Sequence, residues 1–277
     1  MNIYCNGDSF TAGEELLDHI LPGWPGYRKT GSILVKDTDH QWAAIRKKKA
    51  HVVFGSIEYY LEKQKEKSWA GQLCKINNSI SVINGAIGGS SIIGIANRTI
   101  ADLTKYQDKK FDFVFIQLTS PNRIGFYNSN LSENYFMKEH PIGHIDKFPP
   151  LEQEIAKKYI LCYTDKEFAI QYLYAVIGLK HAVYGLTGQY PIFLSSHKIW
   201  KDYITLPLLK DEKLSNNEII KILIEDSGIL DIPDDNIMED VQIKNNFLHT
   251  PGLHFEPRCH EEFAKLIYNK YIDKNRC

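Results

Sequence analysis

A chain of 277 residues, 43% hydrophobic and 24% charged, has enough apolar material for a large core and more length than one plain α/β domain needs, so a single domain over residues 1–277 with sizeable insertions is expected. Thirty-three Lys and Arg against 34 Asp and Glu leave a formal net charge of -1, so no global field would draw in nucleic acid or an anionic membrane, and neither is expected as a partner. The cysteines Cys5, Cys74, Cys162, Cys259 and Cys277 are scattered without a CxxC pair, which argues for reduced thiols over a disulfide framework or a zinc ribbon. No basic region with an apolar signal core precedes the strand-like Asn2-Ile3-Tyr4-Cys5, and no stretch approaches the ~20 apolar residues of a membrane span. A cytoplasmic protein, or one released by lysis, is expected.

In chain order, Ile3 to Asn6 is a short apolar run that stops at Gly7. Leu21 to Lys67, rich in Gly, Pro, Trp and basic residues, separates this strand and its turn from a helical pattern over Trp69 to Ile76. Within it, the basic run Arg46-Lys47-Lys48-Lys49 reads as solvated loop or helix rather than a binding patch. Ile80 to Ile83 is β-branched and ends at Asn84-Gly85. Ile92 to Tyr106 is helical behind Ser90-Ser91, which can cap it. Phe111 to Leu118 is the clearest strand and ends in Thr119-Ser120-Pro121. Tyr127 to Pro150 carries Asn, Pro, His and Gly and reads as a long loop. Leu151 to Tyr184 reads as one amphipathic helix with a break, or as two. Pro191 to Leu194 is another strand, and Cys259 to Ile272 is a C-terminal helix with Phe263, Leu266, Ile267 and Tyr271 on one face. Continuous apolar runs mark parallel strands buried on both faces. Their alternation with helices predicts a three-layer α/β/α sandwich around a mostly parallel, flavodoxin-like sheet. The segments at about 21–67 and 127–150 follow strand carboxyl ends, where open α/β sheets place their sites, and are expected to be insertions that form lids or substrate walls.

The ends of three strands and the segment before the last helix carry the candidate chemistry: Gly7-Asp8-Ser9, Asn84 to Ser91, Thr119 to Arg123, and Gly252 to Pro257 around His254. A serine needs a neighbouring base to become a nucleophile, and a tight strand-to-helix turn exposes its hydroxyl beside helix N–H groups. A glycine at a second turn lets a backbone N–H approach a developing oxyanion, and an Asn amide from a third strand end adds a donor. A histidine entering from the C-terminal segment would serve as general base and acid.

These blocks resemble the SGNH hydrolases, the GDSL-like esterases and lipases, over most of the chain. Gly7-Asp8-Ser9 is similar to the first family block and Asn84 to Gly89 to the second, and His260, six residues after His254, opens the last helix as family members do. Trp69-Ala70, Gly88-Gly89-Ser90-Ser91 and the Thr-Ser-Pro-Asn-Arg turn are similar to a branch found in bacterial and phage genomes. The resemblance implies Ser9 as nucleophile, His254 as base, and Ser9, Gly89 and Asn122 as oxyanion donors. The family's third block reads Gly-x-Asn-Asp, so Ser120-Pro121-Asn122-Arg123 fits with a one-residue shift. The fourth block places Asp three residues before the His, where this chain has Pro251. A Ser9–His254 dyad is therefore expected, unassisted or with its imidazole oriented by a backbone carbonyl, the preferred readings, or oriented by an acid from elsewhere: Asp231, Asp234, Asp240 or Glu256.

The expected reaction is hydrolysis of an ester, an O-acetyl group on a carbohydrate being the favoured substrate, with no metal or organic cofactor. An acyltransferase on the same site, or a non-catalytic binding or structural relative such as a phage particle protein, are the alternatives. The oligomeric state is not legible. Arg123 could bind a substrate anion or tie down its loop. Trp24, Tyr27 and Trp42 could stack on sugar rings or anchor the first insertion. His140, His144 and Asp146 are better read as loop residues than as metal ligands, because Pro141 and Gly143 break the helix that would present them.

Overall fold

The computed structural model describes residues 1–27, 37–121, 123–127, 137–141, 150, 153–154, 157–158, 164–250 and 254–274. Its centre is a four-stranded sheet of β1 (Asn2–Asn6), β2 (Ser81–Asn84), β3 (Phe113–Leu118) and β6 (Ile192–Ser195) in the order β2-β1-β3-β6. Every pairing is parallel, with Ile3 beside both Val82 and Phe113 and Phe115 beside Ile192. An isolated parallel bridge between Ser195 and Ile237 extends the β6 edge where a flavodoxin-like sheet carries its fifth strand.

The strands are mostly apolar because both faces of the sheet are covered. On one face Ile3, Cys5 and Phe115 pack with Trp69, Ala70 and Leu73 of α4 (Trp69–Ile76), with Met238 and Val241 of α9 (Met238–Asn245) and with Cys259, Phe263 and Ile267 of α10 (Pro257–Ile267). On the other, Tyr4, Val114 and Ile116 pack with Ile95, Ala96 and Leu103 of α5 (Ile92–Lys105) and Leu179 and Val183 of α6 (Asp165–Thr187). A third cluster joins Leu118 to α6, α7 (Ile199–Leu209) and α8 (Glu218–Ser227). The layers are therefore α/β/α, as the strand–helix alternation predicts. Ser91 caps α5 by accepting from the Gly94 N–H.

The two segments expected to be insertions hold regular structure. Residues 37–67 form α2 (Asp37–Phe54) and α3 (Ile57–Lys67). Trp42 and Ala50 of α2 and Tyr60 of α3 pack on Leu17 and Leu21, so this pair of helices rests on the segment after the first turn. The long loop expected over Tyr127 to Pro150 is corrected in part: β4 (Arg123–Tyr127) and β5 (Met137–Pro141) form an antiparallel ladder with Arg123 opposite Pro141 and Tyr127 opposite Met137. Of the broken helix expected over Leu151 to Tyr184, the structure describes α6 from Asp165 onward, opened by a Thr164–Glu167 capping box.

Candidate active site

In a parallel sheet ligands bind where the strand order reverses, outside the carboxyl ends of the two diverging strands. Here that crevice lies beyond β1 and β3, with the β2 turn beside it. β1 ends at Asn6 and the chain turns sharply into a single helical turn, α1 (Ser9–Ala12). Asp8 caps it by accepting from the Phe10 N–H, and Gly13, at φ 74°, closes it. Ser9 is thereby set at the first position of the turn.

The turn is held from two sides. Asp8 is fully buried, accepts from Thr119 Oγ1 at 3.0 Å and pairs with Arg123 at 3.1 Å. Arg123 also donates to the Ser90 carbonyl at 3.2 Å, so one guanidinium ties together the turns after β1, β2 and β3. The Asn84 amide donates to the Thr11 carbonyl at 2.8 Å, and Asn84 Oδ1 accepts from the Ala86 N–H. Gly89 lies in the second turn at φ 81°, a backbone state that favours glycine.

Ser9 itself is buried, and its Oγ makes no hydrogen bond to any described residue, His254 included. The neighbouring Phe10 ring lies 5.0 Å from His254 and 5.0 Å from His197, centroid to centroid. Burial, reinforced by His249 and His254 nearby, lowers the His197 pKa to about 3, so that ring is neutral.

His254 enters from the C-terminal segment. Its N–H donates to Thr250 Oγ1 at 3.1 Å and its carbonyl accepts from the Thr250 N–H at 2.8 Å. Among the described residues, the carboxylates within ion-pair distance of its ring belong to Glu14 and Glu15, which the sequence reading did not single out. Glu15 Oε2 lies 3.4 Å from Nδ1 and Glu14 Oε2 3.9 Å from Nε2. The Glu15 approach is at contact distance but is not aligned as a hydrogen bond. Glu15 also accepts from Thr250 Oγ1, the hydroxyl that receives the His254 N–H. Arg46 of α2 pairs with Glu15 at 2.9 Å and with Glu14. The reading of residues 46–49 as a solvated run is thus corrected at Arg46, which is 8% exposed.

Glu14 sits against the second turn as well, close enough to Gly88 that a side chain there would collide with its carboxylate. Beside these two residues opens a cavity of about 390 Å³, walled by Arg46, Tyr60, Leu61, Gln64 and Lys65 on one side and Ala86 and Ile87 on the other. Gln64 is 1% exposed, and its Oε1 has no hydrogen-bond partner among the described residues. A larger depression of about 530 Å³, lined by Thr164, Lys166, Tyr203 and Asp211 among others, shares no residue with these turns.

Of the remaining sequence candidates, Asn122 and Pro251 lie outside the described residues, as do His144 and Asp146. Trp42 is an anchor: it is 2% exposed and its Nε1 donates to Asp18 at 2.7 Å. Trp24 and Tyr27 meet edge to face at 4.6 Å. Glu256 pairs with Arg258 and Asp234 with Lys198. Cys5, Cys74 and Cys259 are free thiols.

No protein-family model matches this chain, and no curated protein matches it. Among solved structures it is similar to TesA, at 10% identity over 97% of both chains with a TM-score of 0.45. It is also similar to an acetyl xylan esterase, Est2A, from the rumen bacterium Butyrivibrio proteoclasticus, at 12% identity over 97% of this chain and 64% of that one, with a TM-score of 0.39.

Proposed function

We propose that this chain is a serine esterase in which Ser9 attacks the carbonyl carbon of a small ester and His254 carries the proton. The observation behind the reading is the Ser9 hydroxyl, buried without a hydrogen-bond partner among the described residues, at the start of a helical turn in the crevice where the strand order reverses. A buried polar group left unbonded costs about 1–3 kcal/mol, a cost with a rationale at a reacting atom. In the reaction, His254 takes the Ser9 proton as Oγ bonds to the carbonyl carbon. The N–H groups of Ser9 and Gly89, with Asn122 as a third donor, hold the oxyanion. The imidazolium returns its proton to the departing alcohol, and water, deprotonated by the same ring, releases the acid from the acyl-serine.

The buried position of Ser9 suits a small acyl group such as acetyl. The cavity beside Glu14 and Gly88, lined by Tyr60, Gln64 and Lys65 among others, suits a hydroxylated alcohol, as in an O-acetylated carbohydrate. A fluorophosphonate probe is expected to modify Ser9 and no other serine, with Ser9→Ala removing both labelling and the hydrolysis of p-nitrophenyl acetate. Modification of Ser90, Ser120 or Ser195 in its place, or no modification of the folded chain, overturns the reading.

A further inference from the structure

We infer that Glu15 is the positioning residue for His254, supplied from the segment directly after the nucleophile turn and held by Arg46 of the first insertion. The inference rests on the roles given above to Ser9 and His254.

The geometry supports it from three directions. Glu15 Oε2 is 3.4 Å from Nδ1, which has no hydrogen-bond partner among the described residues, so a small ring rotation makes Nδ1–H donate to this carboxylate and leaves the Nε2 lone pair for the serine proton. Glu15 is clamped: it is 3% exposed, Arg46 donates to Oε1 at 2.9 Å, and Thr250 Oγ1 donates to Oε2. That hydroxyl also accepts from the His254 backbone, so the acid and the histidine share one anchor. Glu15 further holds φ at 68°, a conformation strained for a non-glycine residue that persists only where its surroundings impose it.

Charge balance gives the arrangement a direction. With both carboxylates ionised, Glu14, Glu15 and Arg46 form a cluster of net charge minus one beside His254. When the ring takes the Ser9 proton the cluster becomes neutral, so its field favours the imidazolium that forms during attack over the imidazole before it.

Two measurements test this on the full chain: steady-state hydrolysis of p-nitrophenyl acetate, and the rate of Ser9 modification by a fluorophosphonate, with melting temperature as the check on folding. Glu15→Gln is expected to lower kcat about 10³-fold at little-changed KM and to slow Ser9 modification in parallel, with Glu15→Asp recovering part of both. If Glu15→Gln does not fold, Glu15→Gly serves, since glycine accepts the positive φ without strain and the Glu14–Arg46 pair stays balanced; the same loss is expected. The inference is overturned by a loss under tenfold in either folded variant, by a loss confined to KM, or by a larger fall in kcat for Glu14→Gln. Ser9→Ala separates the two levels: if it stays active, or the parent's Ser9 is not modified, the whole reading falls. If it is inactive while Glu15→Gln is near parental, only the role of Glu15 falls.

Discussion

Arg123 illustrates how a single side chain fixes the geometry of the site. Its guanidinium is mostly buried and is shared between the Asp8 carboxylate and the Ser90 carbonyl, while Asp8 is fully buried. Removing one member of a buried pair strands the other charge, which costs about 3–5 kcal/mol, more than the pair itself contributes. Arg123→Leu is therefore expected to destabilise the fold by about 3 kcal/mol, lowering the melting temperature by roughly 6–12 °C in a chain of this size. An unchanged melting temperature with a raised KM would instead make Arg123 a substrate-anion ligand. The same scale shows what a sequence hides. Ser9 and His254 stand out because a Gly-Asp-Ser turn and a histidine before the last helix are local patterns. Glu14 and Glu15 do not, because two acids in Gly-Glu-Glu-Leu-Leu read as surface until their partner is known, and Arg46 is 31 residues from Glu15 in a segment with no strand or turn signature.

Among the elements, the four strands were legible because burial on both faces demands unbroken apolar runs, and α4, α5 and α10 because each presents one apolar face to the sheet. Helix α2 was not. Its buried positions Trp42, Arg46 and Ala50 follow the i, i+4, i+8 spacing of a helix, but the middle one is a cation, so the apolar stripe is broken where the helix meets the site. The β4–β5 ladder was hidden for another reason: its two strands are separated by nine residues without a hairpin turn motif. The turn after β1 is the element on which the site depends, and Gly7 shows how tightly it is packed. A Cβ there would lie 2.3 Å from Thr11 Oγ1 and 3.0 Å from Gln117 Cβ, where Thr11 and Gln117 are joined by a hydrogen bond. Gly7→Ala has to push α1 away from β3, and overpacking of this kind costs about 1–3 kcal/mol. A lower urea midpoint is expected, together with slower Ser9 modification, because the displaced turn carries the nucleophile. A midpoint at the parental value would mean that the turn has more room than these distances allow.

Across the whole molecule, two buried groups bend the stability curve in opposite directions with pH. Asp18 is raised to about 6, chiefly by burial, against donation from Tyr60 and Trp42. Its folded pKa exceeds its unfolded one, so the folded chain binds the extra proton and stability from Asp18 falls as pH rises through that window. His260 works the other way. It is fully buried in the first turn of α10, and its Nδ1 accepts from the Trp69 N–H at 3.1 Å, joining the last helix to the start of α4. That bond requires the neutral ring, with its proton on Nε2, and burial followed by the charge of His254 lowers the pKa to about 3. The unfolded chain binds the proton from about pH 6.5 downward while the folded chain does not, so stability is fully present above pH 6.5 and is lost as pH falls towards 3. The full loss is on the order of 5 kcal/mol, and by pH 4.5 about 3 kcal/mol of it has occurred. Asp18 masks part of this in the parent, so the measurement has to be a difference between two proteins that both keep Asp18. Gln at position 260 offers a carbonyl oxygen to the Trp69 N–H and does not titrate. At pH 7.5 His260→Gln is expected to be the less stable protein, having lost ring packing between α4 and α10. Between pH 7.5 and 4.5 the gap should close by about 3 kcal/mol, because only the parent loses stability through this residue. Denaturant unfolding of both proteins at the two pH values measures it, and a gap that stays constant would mean that His260 protonates in the folded state as readily as in the unfolded one.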